Sequence, residues 1–181
     1  MRGDNSACAA LLKRHEPELA KQMWRFTRNR AVQEELVEEV LVEAYLSLRR
    51  YRPGDVPFIH WLRCIATRVG YRYWKLEARK RKHQPIESID PPAADQEFAP
   101  DDAAAAAATL HNLLARLPAP DRLVLTLMYF EECSLRDIAD RTGWNSAVVK
   151  MRAYRARGRL KSMIEKEQLV ESLMGAVHGP A

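Results

Sequence analysis

The sequence predicts an all-α protein: two small helical domains joined by an acidic, proline-rich linker, with a helix-turn-helix in the second. Three observations carry this. Apolar residues recur at three- and four-residue steps through most of the chain, and no alternating β pattern of useful length interrupts them. Pro85, Pro91, Pro92 and Pro100 punctuate a middle stretch with few apolar anchors, the composition of an extended linker. Ala139, Gly143 and Val149 have the spacing of two helices crossing closely through a tight turn. A length of 181 residues suits two small tethered domains, and 47% apolar content with 29% charge excludes wholesale disorder. The expected boundaries are 1–83, linker 84–102, second domain 103–167 and a tail 168–181.

The helices follow in order. Leu11, Leu12, His15, Leu19, Met23 and Phe26 mark the first, and Leu36, Val40, Leu41, Ala44, Tyr45 and Leu48 the second. Two prolines and a glycine in Tyr51-Arg-Pro-Gly-Asp-Val-Pro-Phe58 forbid a continuous helix there. Helix resumes near Ile59, with an inward stripe of Leu62, Ile65, Ala66, Val69, Tyr73 and Leu76. Arg68, Arg72, Lys75 and Arg79, spaced four, three and four, share another face. Asp101 or Asp102 can cap a fourth helix whose apolar side is Leu110, Leu113, Leu114 and Leu117. Pro118-Ala-Pro120 ends it, and Asp121 is placed to cap a fifth carrying Leu123, Val124, Leu127 and Met128.

Charge is more informative in its distribution than in its sum of +5. Glu34, Glu35, Glu38, Glu39 and Glu43 fall in a stretch without a base, whereas Arg63 to Lys82 holds eight bases against Glu77 alone. Gln84 to Asp102 is acidic, and Lys150 to Lys161 holds only bases. Two basic blocks separated by an acidic linker point to two contacts with a polyanion. Phe58, Trp61, Tyr71, Tyr73 and Trp74 interleave with the first block. Trp61 and Tyr73 are expected in the core, Tyr71 and Trp74 on the surface as platforms on which a base can stack.

The densest signal runs from Ser134 to Arg157. Leu135 to Arg141 forms a short helix with Ile138 inward, Ala139 small enough for close crossing, and Gly143 tolerant of the turn. A longer helix starts near Ser146 with Val149 inward. Such a unit sets the start of its second helix in the DNA major groove. Ser146, Lys150, Met151, Tyr154 and Arg155 can reach base edges from there, and Arg157, Arg159 and Lys161 follow at positions suited to phosphate.

Leu114-Ala-Arg-Leu-Pro118, Arg122 to Tyr129, Ser134-Leu-Arg-Asp-Ile-Ala139 and Val149-Lys-Met-Arg152 through Arg157 together resemble the C-terminal domain of bacterial extracytoplasmic-function (ECF) sigma factors. Glu35-Leu-Val-Glu-Glu-Val40 is similar to that family's polymerase-clamp helix, and Phe58 to Ala66 to the start of its promoter-melting helix. The resemblance covers about Leu11 to Glu165 and implies an alternative sigma factor that binds core RNA polymerase, recognises −35 and −10 promoter elements and promotes melting. It implies polymerase contacts at Glu35, Leu36, Glu38, Glu39 and Val40. It implies −10 contacts at Phe58, Trp61, Arg68, Tyr71, Arg72 and Lys75, and −35 contacts at Ser146, Lys150, Met151, Arg152, Tyr154 and Arg155. The loop from Pro53 to Phe58 would capture a flipped base, and an anti-sigma factor is a family expectation. Glu35 and Glu38 stand where the family usually has Asp and Gln, Arg68 and Arg72 where it has Asn and Asp, and Val148 and Met151 where it has Thr and Ser.

Other classes fit less well. No phosphate-cradling Gly-rich loop, Cys-x-x-Cys, His-Glu-x-x-His or nucleophile elbow occurs, so neither catalysis nor a cofactor is expected. Cys8, Cys64 and Cys133 are odd in number and far apart, encoding neither a disulfide framework nor a zinc site. No uncharged apolar stretch approaches the roughly 18–20 residues that span a bilayer, and Met1-Arg-Gly-Asp-Asn-Ser lacks a secretory h-region. The expected compartment is a reducing cytoplasm. A sigma-like protein that sequesters an anti-sigma factor would not need two basic helices, and a plain helix-turn-helix regulator would leave the N-terminal half without a purpose.

Overall fold

A computed structural model describes residues 5–54, 56–83 and 102–177, with side chains described in 9–54, 56–81 and 109–166. Seven α-helices and a short 3₁₀ turn account for the secondary structure of these residues. They are α1 (Asn5–Met23), α2 (Arg30–Ser47), α3 (Phe58–His83), α4 (Asp102–Ala115), α5 (Ala119–Tyr129), α6 (Leu135–Thr142) and α7 (Ser146–Val177). The chain divides into two compact units, one built around α1–α3 and the other around α4, α5 and α7 with the start of α6. Of the expected linker 84–102, only Asp102, the first residue of α4, lies within the described residues.

In the first unit, burial of one stripe per helix makes the core. Leu12, Leu19 and Met23 of α1, Leu36, Val37, Val40 and Ala44 of α2, and Leu62, Ile65, Ala66 and Val69 of α3 are all buried. Asn29 caps α2, its side-chain oxygen accepting from the Val32 N–H at 3.2 Å. Gln22, buried between helices, donates to Thr67 Oγ1 at 3.1 Å and to the Arg63 carbonyl at 3.3 Å, tying α1 to α3. The expected break holds: Gly54 takes a φ of +107° and α3 begins at Phe58, just after Pro57.

Two expectations for α3 are corrected. Trp74 is buried, not exposed: its ring centroid lies 4.6 Å from that of Phe26, and its Nε1–H donates to the Phe26 carbonyl at 2.7 Å. Leu76, placed in the inward stripe, is 51% exposed. The inward row drifts around the helix along Leu62, Ala66, Gly70 and Trp74, an i, i+4 ridge rather than a straight stripe. Gly70 is the reason: a β-carbon there would stand 2.4 Å from the Phe26 ring, so only glycine lets that ring close against α3. Tyr45 of α2 is likewise exposed, and Tyr73 and Trp61, expected in the core, and Tyr71, expected on the surface, are all half-buried.

In the second unit, α5 is the central element. Every residue from Asp121 to Leu127 is buried, and Leu125 clusters with Leu114 of α4, Leu117 and Ala156 of α7. Asp121 does not cap α5. The capping position falls on Pro118, and Asp121 lies in the first helical turn. The turn into α6 is closed by a reciprocal capping box: Asp137 Oδ2 accepts from the Ser134 N–H at 2.9 Å, and Ser134 Oγ from the Asp137 N–H at 3.2 Å. Gly143 takes a φ of +73° between α6 and α7, as the turn requires. Asn145 then caps α7 by accepting from the Ala147 N–H at 2.8 Å. Ile138, Ala139 and Val149 are buried, giving the helix-turn-helix its small–glycine–apolar core. The backbone of α7 continues through Val177, so most of the segment 168–181 extends that helix.

Candidate nucleic-acid interface

In the first unit, Arg68, Arg72, Lys75 and Arg79 are all exposed on one side of α3, and with Tyr71 and Leu76 they line a shallow groove. Lys75 Nζ lies 5.6 Å from the Tyr71 ring centroid, a cation–π distance. A flat aromatic flanked by cations matches a nucleic-acid strand, with charge for phosphates and a face for a base. Arg72 is engaged within the unit: its Nη2 donates to Glu39 Oε1 at 2.7 Å and Glu43 Oε2 at 3.0 Å, both on α2. Desolvation works against its charged guanidinium, but hydrogen bonds to Glu39 and Glu43 outweigh that and raise its pKa above the ordinary arginine value.

Phe58 and Trp61 are half-buried in an aromatic knot with Tyr51. The three ring pairs have centroids 5.2–5.4 Å apart, and His15 stands 5.7 Å from Phe58. The Tyr51 hydroxyl donates to the Val56 carbonyl at 3.0 Å, pinning the loop before α3 to this knot. Of the residues expected to face polymerase, Glu35, Glu38 and Glu39 are exposed, while Leu36 and Val40 are core residues that hold α2 from behind.

In the second unit, Ser146, Lys150, Met151, Tyr154 and Arg155 of α7 are exposed, Tyr154 by 76%. Arg152 is not. It is half-buried, with its guanidinium 4.8 Å from the Trp144 ring centroid and Nη1 3.9 Å from Asp121 Oδ1. Arg159, expected at phosphate, is ion-paired with Asp121 instead. Sequence reading missed Asp121 and Trp144 as partners of the recognition helix. The available signal was an acid at the head of α5, a helix otherwise apolar or buried almost throughout. Among the described residues, no group of three or more His, Cys, Asp and Glu side chains could hold a metal, and no helix is long and apolar enough to cross a membrane.

Comparison with known proteins accounts for both units. Residues 11–80 match sigma-70 region 2 and residues 107–160 match sigma-70 region 4. The chain is 31% identical over 170 residues to the RNA polymerase sigma-H factor of Pseudomonas aeruginosa, covering 86% of this chain and 85% of that one. It is 24% identical to the ECF RNA polymerase sigma-E factor of Haemophilus influenzae, over 90% of each chain. The solved structure of the sigma factor RpoE of Bartonella quintana, in complex with the anti-sigma factor NepR, shares the fold with a TM-score of 0.59. Its identity is 21%, over 87% of this chain and 96% of that one. Two DNA-suited helical units in this order define a promoter-recognition subunit. The chain belongs to the sigma-70 family, in its ECF branch, and is an alternative sigma factor acting in transcription initiation.

Proposed function

We propose that α3 grips the −10 element and supports melting, that the leading half of α7 reads the −35 element, and that the outer face of α2 docks on core polymerase. The cationic groove around Tyr71 carries this reading: Arg68, Lys75 and Arg79 stand beside a half-buried tyrosine that lines the groove. The domains are 1–83 and 103–167, and the acidic segment between them runs through a positively charged channel of the polymerase. On α7 the reading groups are Ser146, Lys150, Met151, Tyr154 and Arg155. On α2 Glu35, Glu38 and Glu39 meet the polymerase, with Leu36 and Val40 supporting them from the core. Phe58 and Trp61 shape the floor on which the Pro53–Phe58 loop receives an unpaired base. The chain works in the cytoplasm and contributes no catalytic group; bond formation belongs to the polymerase. An anti-sigma factor is a further partner, supported by the RpoE–NepR complex.

Base stacking on an aromatic side chain is worth about 1–3 kcal/mol, or about 5- to 150-fold in an equilibrium. The variant Tyr71→Ala with Arg68→Ala is therefore expected to lower open-complex formation by at least tenfold or so while still co-purifying with core polymerase. Permanganate reactivity of promoter thymines reads the first effect and pull-down the second. Undiminished thymine reactivity would remove the melting role of this groove.

A further inference from the structure

The positive charge of α7 is sorted by a single carboxylate. Asp121 is 3% exposed, at the head of the central helix α5. Its Oδ2 accepts from Arg159, and its Oδ1 faces Arg152 Nη1 at 3.9 Å. Arg152 and Arg159 are seven residues apart, two turns along the same face of α7. Lys150, Tyr154, Arg157 and Lys161, at steps of four, three and four, form a row on the opposite side, and all four are exposed. Neither Lys150 nor Arg157 has a carboxylate within ion-pair distance among the described residues, and Lys161 makes only an exposed pair with Glu165 at 3.7 Å.

A helix held at two points two turns apart, on one line, cannot roll about its axis. A buried carboxylate is suited to that task, because leaving it unpaired is far more costly than losing an exposed pair. Trp144 adds to the hold, lying against the Arg152 guanidinium just before α7 begins.

We infer that Asp121 is a positioning residue for −35 reading: by holding Arg152 and Arg159 against α5, it fixes the rotation of α7 and keeps both arginines out of phosphate contact. The inference rests on the reading of α7 as the DNA-reading helix. It moves Arg152 and Arg159 from the DNA-contacting set to the supporting set and leaves the Lys150–Tyr154–Arg157–Lys161 row toward DNA.

The test is the salt dependence of promoter binding by holoenzyme reconstituted from core polymerase and the full chain, on a fragment mapped by run-off transcription. Each phosphate contact adds about 0.9 to the slope of log Kobs against log salt, about 3.5-fold in affinity between 50 and 200 mM. Arg157→Gln is expected to flatten the slope by one such contact. Arg159→Gln, whose amide can still donate to Asp121, is expected to leave it unchanged. Asp121→Asn is expected to steepen it by up to two contacts, as released arginines find phosphate, and to blur base preference in −35 sequences selected from a random pool. A purely structural Asp121 would weaken binding without steepening the slope, which overturns the inference. Flattening by Arg159→Gln equal to that by Arg157→Gln also overturns it while leaving DNA reading by α7 intact. No change with either Arg157→Gln or Lys150→Gln removes that underlying reading, and the inference with it. Should Asp121→Asn fail to fold, as judged by far-UV circular dichroism, the comparison of Arg157→Gln with Arg159→Gln still decides.

Discussion

The two long basic helices, α3 and α7, draw on similar residue types and are held by different chemistry. On α3 the anchor is aromatic: Trp74 and Phe26 pack with their rings tilted by 46° beside Gly70, and a tryptophan N–H closes on a backbone carbonyl. Its partnered cation, Arg72, is tied to Glu39 and Glu43 at the surface, where all three side chains are one-third to one-half exposed. On α7 the inward residues are small, Val149, Ala153 and Ala156, and the partnered cations converge on the buried Asp121. An exposed ion pair is screened and readily exchanged for another partner, whereas a buried one is built into the fold. Arg159 is as exposed as Arg72, so the two helices differ in the carboxylate: Glu39 and Glu43 return to water at little cost, whereas Asp121, its side chain 5% exposed, is costly to leave unpaired.

Three variants break or sharpen this contrast. Trp74→Ala removes the aromatic anchor of α3 and is expected to destabilise the first unit by about 3–5 kcal/mol, the usual cost of emptying a buried tryptophan site. Urea unfolding of the full chain should show that unit's transition shifted and the other's in place; coincident loss of both would contradict two independently anchored helices. Asp121→Asn is expected to cost the second unit about 1.5–3 kcal/mol, the value of hydrogen bonds to a charged group. That loss should persist at 0.5 M salt. Smallest is Glu39→Gln with Glu43→Gln, at about 0.2–1 kcal/mol and vanishing as salt is raised. Its clearer signature is in binding: with Arg72 released, affinity for single-stranded DNA at low salt should rise by about threefold, one added phosphate contact. A fall would show that the carboxylates hold Arg72 in the position DNA needs.

Much of this was legible in the sequence because it rests on local rules. Pro53 and Pro57, with Gly54 between them, break the helical pattern locally, and Ala139, Gly143 and Val149 encode a crossing by their spacing. The exposed row Arg68, Arg72, Lys75 and Arg79 followed from helical spacing alone. Trp74 was misread because its burial depends on Phe26, nearly fifty residues away in sequence, and on a ridge that drifts rather than runs straight. Gly70 held a partial clue, since a glycine inside a long helix costs about 1 kcal/mol, but Gly158 of α7 is a helical glycine with open space around it. The partition of arginines on α7 was hidden for the same reason: Asp121 looked like a helix cap until the start of α5 fell at Ala119, leaving its carboxylate to face inward.

The missing side chain at Gly70 has one more effect. Because the Phe26 ring occupies the volume a methyl group would need, even the mildest replacement must expel the ring or shift the turn after α1 that carries it. The approach of that turn to α3 is thus set by the thickness of a benzene ring. Change in this lobe is therefore left to its outer face, because this seam offers no intermediate setting.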